Sequence, residues 1–169
     1  GQIAAIGSLP SNPITQARIQ GFKEVLKDYP DIELVSVSYP DLTPSVIQST
    51  ASSLLVKHPR LKAFYTTNFI NAGGVALAVR NAKLVGKVRV YSWDAGASNV
   101  KLLQQGVLTE SVAQQPYTMG ELAIEQLANK LQGKPTQKTV SAPVSILTSS
   151  TVDTPEGKEL WYRANCSGG

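Results

Sequence analysis

The sequence is poor in the residues that build metal centres and disulfides. It has one cysteine, Cys166, which excludes an internal disulfide and every metal pattern that needs several cysteines. Its one histidine, His58, stands before Pro59 at the end of a helical pattern, where an imidazole interacts favourably with the helix dipole. No acidic or nucleophilic residue is placed beside it for catalysis. We therefore expect neither a metal site nor a cofactor.

Long apolar runs and clusters of basic residues are also absent. No stretch of about 18 apolar residues occurs, so we expect no membrane-spanning helix. The net charge is +4 and the lysines and arginines are scattered, which indicates solubility rather than a nucleic-acid partner. No signal peptide is visible, because a strand pattern starts at Gln2. This abrupt start leads us to expect a fragment that begins inside a larger protein.

The motifs of several enzyme classes are missing. There is no G-x-x-x-x-G-K-[ST] phosphate loop, no G-x-G-x-x-G after the first strand, no G-x-S-x-G nucleophile elbow and no H-E-x-x-H helix. We therefore expect that the protein is not an enzyme. One enzymatic alternative stays open, in which Asp41 and Asp94 act as paired acids on an α/β sheet.

What the sequence does contain is a regular alternation of strand and helix patterns. Apolar runs predict strands at 2–7, 32–39, 61–67, 87–93, 107–114 and 140–147. Helical spacing follows all but the last of these, and Asn12-Pro13 and Thr43-Pro44 each read as a cap followed by a proline. This βα repetition predicts an α/β fold, a three-layer sandwich with a mainly parallel sheet of about five to six strands. The segment 148–169 shows no clear period.

The stretch KVRVYSWDAGAS, residues 87–98, places a carboxylate just past the end of the fourth strand. Asp94 follows an alternating apolar pattern, and Ser98 is expected to cap a helix over 99–105. In open parallel sheets, ligands bind at this rim, outside the carboxyl ends of the strands.

Mostly neutral polar residues end the other strands at the same rim. They are Ser8, Asp41, Asn68, Asp94 and Gln114, with Gln16 on the first helix able to reach over them. Amides and carboxylates can take paired hydrogen bonds from neighbouring hydroxyls. A phosphate or carboxylate ligand would need arginine or lysine, and neither occupies these positions. We therefore predict a neutral, hydroxyl-rich ligand.

Four stretches carry a resemblance to a known family: QARIQGFKEVLKDYPDIELV, LLVKHPRLKAFYTTNFINAGGVALAV, VRVYSWDAG and VLTESVAQQPYTMGELAIEQL. In their order and spacing, from Gly7 to about Leu147, the sequence resembles the periplasmic sugar-binding proteins of ABC importers, of the ribose- and galactose-binding type. The resemblance implies the carboxyl-terminal lobe of a type I periplasmic binding fold, whose two lobes close on a sugar. It divides the chain into a ligand-binding lobe (1–112), a hinge crossing with a helix that packs on the other lobe (113–138), a return strand (139–150) and a tail (151–169).

The resemblance also implies which residues contact the sugar. Asn68 and Asp94 match the family's ligands for sugar hydroxyls, and Gln114 matches its hinge-side ligand. Gln16 stands where many members have an arginine, and Leu42 stands where some have an aromatic platform. These two departures leave the particular sugar open, and also leave open another small polar solute such as a polyol.

Structural roles are the alternative for several of these residues. Asn68 and Asp94 can each cap a following helix, and Gln114 can satisfy a neighbouring backbone group. Trp93 can stack on a sugar face, but its alternation with Tyr91 is more typical of core packing.

In function, the resemblance implies a non-enzymatic solute-binding component that captures a sugar or polyol and presents it to an ABC permease, in the periplasm or outside the cell. The alternative is the ligand-sensing domain of a lactose-repressor-type regulator or of a sensor kinase. The helix at 116–132 would pack on the other lobe, so an exposed apolar face on it predicts self-association.

Overall fold

The computed structural model of the chain describes residues 1–162, so Cys166 lies outside the described residues. In chain order the elements are β1 (Gln2–Ile6), α1 (Pro13–Leu26), β2 (Glu33–Ser38), α2 (Pro44–Lys57), β3 (Leu61–Thr66), α3 (Phe69–Asn81), β4 (Arg89–Trp93), α4 (Ala97–Gln104), β5 (Glu110–Gln114), α5 (Pro116–Leu131), β6 (Val144–Thr148) and α6 (Pro155–Glu159).

The strands form one sheet in the order β2-β1-β3-β4-β5-β6. Strands β1 to β5 run parallel, and β6 pairs antiparallel with β5. This confirms the predicted α/β fold with a mainly parallel sheet. Connections between parallel strands are right-handed, so the chain's reversal from β2 back across β1 to β3 puts α1 and α2 on opposite faces. The loops after β1 and β3 therefore diverge, which is the geometry that opens a crevice at the rim.

Helices cover the two faces of the sheet unequally. On one face α2, α3 and α4 surround the main core, in which Ile47, Phe64 and Leu103 are fully buried. Successive side chains of a strand alternate between faces, so Tyr65 points away from this core. There the ring of Phe22 from α1 stacks on Tyr65, with 4.3 Å between ring centroids. Helices on both faces give the three layers expected from the sequence.

Local sequence signals explain most helix starts, but not that of α4. The Asn12 side chain accepts hydrogen bonds from the backbone N–H groups of Ile14 and Thr15, as the cap-and-proline pattern predicts. Helix α4 instead begins at Ala97 with Gly96 as its N-cap. The expectation that Ser98 caps this helix is therefore wrong, because the chain turns into the helix two residues earlier.

The segment after β6 is structured, which the sequence pattern did not indicate. Thr154 caps the short helix α6 through a hydrogen bond from the N–H of Gly157. Val152 is fully buried, and the Trp161 indole N–H donates to the Val152 carbonyl at 3.0 Å. Five residues of helix are too few to show a helical period, which explains why the sequence showed no clear period here.

Two further properties concern only residues 1–162. None of the helices there combines the length and apolar character needed to cross a bilayer. Nor does any group of three or more histidine, cysteine, aspartate or glutamate side chains come together in a way that could hold a metal ion.

Candidate functional site

The carboxyl ends of three neighbouring strands place Asn68, Asp94 and Gln114 side by side along one rim. Asn68 lies just beyond β3, Asp94 directly follows β4, and Gln114 ends β5. Neighbouring strands lie about 4.8 Å apart, so the three positions fall within one small region. The predicted ligand residues therefore start from a common edge of the sheet.

Asp94 has an unusual backbone that the surrounding residues hold in place. Its φ is +75°, in the left-handed region that costs an ordinary residue energy. Its N–H donates to the Val112 carbonyl at 2.8 Å. Its own carbonyl accepts from the Ser111 hydroxyl at 2.6 Å and from the Asn99 amide at 3.1 Å. These three bonds fix the direction in which the Asp94 side chain leaves the strand.

Asn99 is a supporting residue that the sequence analysis missed. Its side chain is fully buried, and Nδ2 donates to the carbonyls of Trp93 and Asp94 at 3.0 and 3.1 Å. The same nitrogen lies 3.2 Å from the Ser111 hydroxyl. The available signal was an asparagine on the inward face of a short helix, directly after the Asp-Ala-Gly turn.

Asp94 is 9% exposed, and its carboxylate already has two hydrogen-bond partners. The Gln114 amide Nε2 donates to its Oδ1 at 2.7 Å, and the Tyr162 hydroxyl donates to the same oxygen at 3.3 Å. Within residues 1–162 no hydrogen bond reaches the second oxygen, Oδ2. Asp94 thus does not cap a helix, and the Gln114 side chain binds this carboxylate rather than a backbone group.

Tyr162 is a second residue that the sequence analysis missed. Its hydroxyl accepts from the Gln114 backbone N–H at 3.1 Å while it donates to Asp94, so it touches both predicted ligand residues. Burial, followed by the negative charge of Asp94, raises the pKa of the Tyr162 phenol, which keeps it in the neutral, donating form. No local motif pointed to it, because the contact joins positions 68 residues apart.

Asn68 has a structural role that the sequence analysis considered. Its Oδ1 accepts from the Asn71 backbone N–H at 2.9 Å and thereby caps α3. Its backbone carbonyl accepts from the Ser92 hydroxyl at 3.2 Å, which ties this loop to β4. The capping interpretation is confirmed, and the Asn68 side chain makes no hydrogen bond with Asp94 or Gln114 among the described residues.

Trp93 is half-buried on the α1 face of β4 and belongs to a polar-aromatic cluster. Its indole N–H donates to the Tyr65 hydroxyl at 2.8 Å. The Arg18 guanidinium lies over the indole ring, 4.0 Å from the centroid, and donates to the Thr67 carbonyl at 2.6 Å. These contacts match the packing interpretation of Trp93. They also place a cation beside the rim, which the sequence analysis missed because it considered only Gln16 on this helix.

Gln16 and Leu42 are not brought into contact with the Asp94–Gln114 pair. The Gln16 amide donates to the Pro10 carbonyl at 2.8 Å within its own loop. Leu42 lies in the loop after β2 and is 40% exposed.

The paired-acid alternative meets a geometric obstacle. Strands β1 and β3 separate the ends of β2 and β4, where Asp41 and Asp94 lie. Three strand spacings amount to about 14 Å, whereas paired catalytic carboxylates of glycosidases lie about 5 to 10 Å apart. The structure therefore gives this enzymatic alternative no support.

A groove of about 590 Å³ lies on the α1 face of the sheet, away from the rim. Its apolar lining includes Ile3, Phe22, Leu26, Tyr91 and Val112. None of the residues predicted to contact the ligand lines it, that is, Asn68, Asp94, Gln114, Gln16, Leu42 and Trp93. Parallel sheets are normally covered on both faces, and within residues 1–162 this part of the face is left open, apart from the rim site.

Two known proteins are similar to this chain in sequence. The D-allose-binding periplasmic protein of Escherichia coli (strain K12) is 32% identical over 129 residues, which cover 76% of this chain and 42% of that protein. The ribose import binding protein RbsB of Bacillus subtilis (strain 168) is 28% identical over 148 residues, covering 87% of this chain and 47% of that protein. The chain spans about half the length of the curated relatives it matches.

A solved structure shows the same fold. The ABC transporter solute-binding protein from Agrobacterium vitis bound with α-D-tagatopyranose superposes with a TM-score of 0.89 at 23% identity, covering 96% of this chain and 55% of that one. This likeness confirms the predicted lobe of a type I periplasmic binding fold. The family model for the periplasmic binding protein domain matches residues 1–135. The chain belongs to the family of periplasmic binding protein domains.

Proposed function

We propose that this chain supplies one lobe of a solute-binding protein for an ABC importer, and that its rim holds a sugar or a similar polyhydroxylated ligand. The observation that carries the proposal is the direct bond between Gln114 Nε2 and Asp94 Oδ1 at the ends of adjacent strands. The bond fixes the carboxylate, and Oδ2 keeps its acceptor capacity. A sugar hydroxyl is a donor that this oxygen can accept.

The groups around the pair suit an uncharged ligand with several hydroxyls. Asn68 Nδ2 and Gln114 Oε1 add a donor and an acceptor, because the hydrogen bonds described above use only Asn68 Oδ1 and Gln114 Nε2. Arg18 is already engaged with Thr67 and Trp93, so it is poorly placed to neutralise an anionic ligand. The ligand roles of Gln16, Leu42 and Trp93 remain predictions, with less support from their contacts.

Ligand capture in this proposal depends on a second lobe. A sugar that binds both lobes in the closed form shifts an open–closed equilibrium toward closure, and the permease recognises the closed form. Residues 113–138 would cross to that second lobe, and residues 139–150 would return. The exposure of α5, in which no residue is buried, supports this assignment. The location would be periplasmic or extracellular, and the import relative named above favours transport over a regulator.

One lobe alone should bind weakly. If a complete site binds in the micromolar range, about 8 kcal/mol, then half of its hydrogen bonds supply about 4 kcal/mol and a dissociation constant of roughly 1 mM. A calorimetric titration that gives micromolar affinity for this 169-residue chain would contradict the half-site assignment.

The test is an amide NMR titration of the 169-residue chain with D-allose and D-ribose. We expect sugar-dependent shifts at Asn68, Asp94 and Gln114, and their loss in Asp94→Ala. The matched control is Asp28→Ala, which removes an exposed carboxylate after the end of α1, and should leave the shifts unchanged. Shifts that are absent from the rim, or that survive Asp94→Ala, would refute the proposed site.

We also propose that the 169-residue chain self-associates through α5. This helix of 16 residues, about 24 Å long, leaves Met119, Ile124, Leu127 and Leu131 between 48% and 79% exposed. The occupant we propose for the apolar groove on the α1 face is α5 of a second copy. Reciprocal insertion of the two helices would give a closed dimer with twofold symmetry.

Charge supports this pairing. Lys62, Lys87 and Arg89 line the groove against a single acid, Glu110. Helix α5 carries an acidic pair one turn apart, Glu121 and Glu125. Opposite charges of this kind orient a helix in a groove and speed its association.

Sedimentation velocity tests the self-association. We expect a dimer whose dissociation is promoted by Leu127→Glu on α5 and equally by Tyr91→Glu in the groove. Val56→Glu is the matched control, because Val56 is 83% exposed on α2. A chain that stays monomeric at high concentration would refute the dimer. Dissociation by the α5 variant alone would refute the groove as its partner.

A further inference from the structure

The segment after β6 reaches back to the rim, where Tyr162 contacts the proposed sugar site. The backbone N–H of Tyr162 donates to the Ala95 carbonyl at 3.0 Å, directly beside Asp94. Its hydroxyl donates to Asp94 Oδ1 and accepts from the Gln114 backbone N–H. The backbone of Tyr162 and the hydroxyl at the end of its side chain are therefore both hydrogen-bonded to the region that carries the candidate ligand residues.

This contact is anchored by packing from the rest of the segment. Val152 is fully buried in the core, and Trp161 bonds back to its carbonyl. The Gln104 amide from α4 donates to the Asp153 carboxylate at 2.7 Å, which ties the start of the segment to the helix that follows the Asp94 turn. A folded segment thus places Tyr162 at the rim.

We propose that Tyr162 is a positioning residue of the ligand site, and this inference rests on the proposed sugar-binding function. Tyr162 and Gln114 share Oδ1 of Asp94 as acceptor, so the carboxylate is held at one oxygen while Oδ2 stays available for a sugar hydroxyl. The segment from Thr154 to Tyr162 then supports the Asp94 carboxylate, and ligand affinity depends on the packing of this segment against the rim.

A competing role for the same contact makes the opposite prediction. If the phenol occupied the place of a sugar hydroxyl, its removal would strengthen binding. The contacts argue for support instead, because the Tyr162 hydroxyl uses the oxygen that Gln114 already uses and leaves Oδ2 free among the described residues. A ligand competitor would be expected to engage the open oxygen.

The test compares Tyr162→Phe with Tyr117→Phe in the 169-residue chain. Phenylalanine keeps the ring and removes only the hydroxyl. Tyr117 is 79% exposed on α5 and serves as the matched control. Dissociation constants for D-allose and D-ribose come from the amide NMR titration, and the thermal midpoint of each variant is measured alongside.

We expect Tyr162→Phe to weaken sugar binding roughly three- to tenfold, as befits loss of a bond to a charged group, with no change in Tyr117→Phe. A purely structural role would lower the thermal midpoint and leave the dissociation constant of the folded protein unchanged. Unchanged or tighter sugar binding in Tyr162→Phe, with a responding wild type, overturns this inference alone. A wild-type chain whose rim does not respond to either sugar overturns the proposed function and this inference together.

Discussion

Asp94 offers a sharp test, because its backbone and its side chain can be perturbed separately. Asp94→Ala and Asp94→Gly both remove the carboxylate and both lose its bonds to Gln114 and Tyr162. They differ in how well the new residue accepts a φ of +75° and in the entropy that glycine adds to the unfolded chain. Glycine adopts this conformation without steric cost, whereas alanine places its Cβ against the neighbouring carbonyl.

The size of the difference follows from these costs. A left-handed backbone costs an L-residue about 1 to 2 kcal/mol. The glycine variant loses about 0.5 to 1 kcal/mol of this advantage, because its unfolded chain has the larger conformational entropy. We expect Asp94→Gly to be more stable than Asp94→Ala by about 1 kcal/mol, or roughly 2 to 4 °C in Tm for a chain of this length.

Urea unfolding followed by far-UV circular dichroism measures this difference without relying on Trp93, which adjoins the site. Both variants should lose the sugar-dependent shifts at the rim, since neither has a carboxylate. An alanine variant as stable as the glycine variant, or more stable, would show that the left-handed turn is not maintained in solution. The account of how Asp94 is positioned would then fail.

Three further predictions concern stability. Asn99→Ala should cost about 2 kcal/mol in urea unfolding, because it removes one buried and one partly buried hydrogen bond to backbone carbonyls. Gly74→Ala should destabilise the protein by about 1 to 2 kcal/mol, since a Cβ there would lie 2.5 Å from Ile47 Cγ2. In the matched control Gly73→Ala, the new Cβ meets no atom within 4 Å and should stabilise α3 by up to about 1 kcal/mol. The raised pKa of Tyr162 contributes stability that is present below pH 10.0 and is lost as the pH rises through the folded-state pKa. The urea midpoint of the wild type should therefore fall as the pH rises above 10.0. It should fall less in Tyr162→Phe, which has no phenol to ionise.

The architecture could be predicted from the sequence because its signals are local. Strand alternation, helical spacing and caps such as Asn12-Pro13 each involve a few consecutive residues, and together they gave a mainly parallel α/β sheet. Boundaries were less accurate where tertiary contacts decide them. The fifth strand was predicted from 107, but β5 begins at Glu110, because Val107 and Leu108 are buried in the turn that follows α4.

The candidate site could be predicted only in part. The topology of parallel strands places Asp94 and Gln114 on adjacent strand ends, so their contact followed from the fold. The residues that support them did not. Asn99 reads as an ordinary polar residue of a helix, and Tyr162 reaches Asp94 across 68 positions of sequence. The burial of a polar side chain is a weak signal in the sequence, and a contact between distant positions leaves no local pattern.

The conformation of Asp94 is itself an argument for function. A turn at φ +75° is most easily made by glycine, and the loop already contains one two residues later. Three hydrogen bonds to the Asp94 backbone keep an aspartate there instead: its N–H donates to the Val112 carbonyl, and its carbonyl accepts from the Ser111 hydroxyl and the Asn99 side-chain amide. Strained residues that a structure maintains in this way cluster at ligand sites. We therefore propose that the turn keeps an aspartate for its carboxylate, which the bonds from Gln114 and Tyr162 hold at the rim.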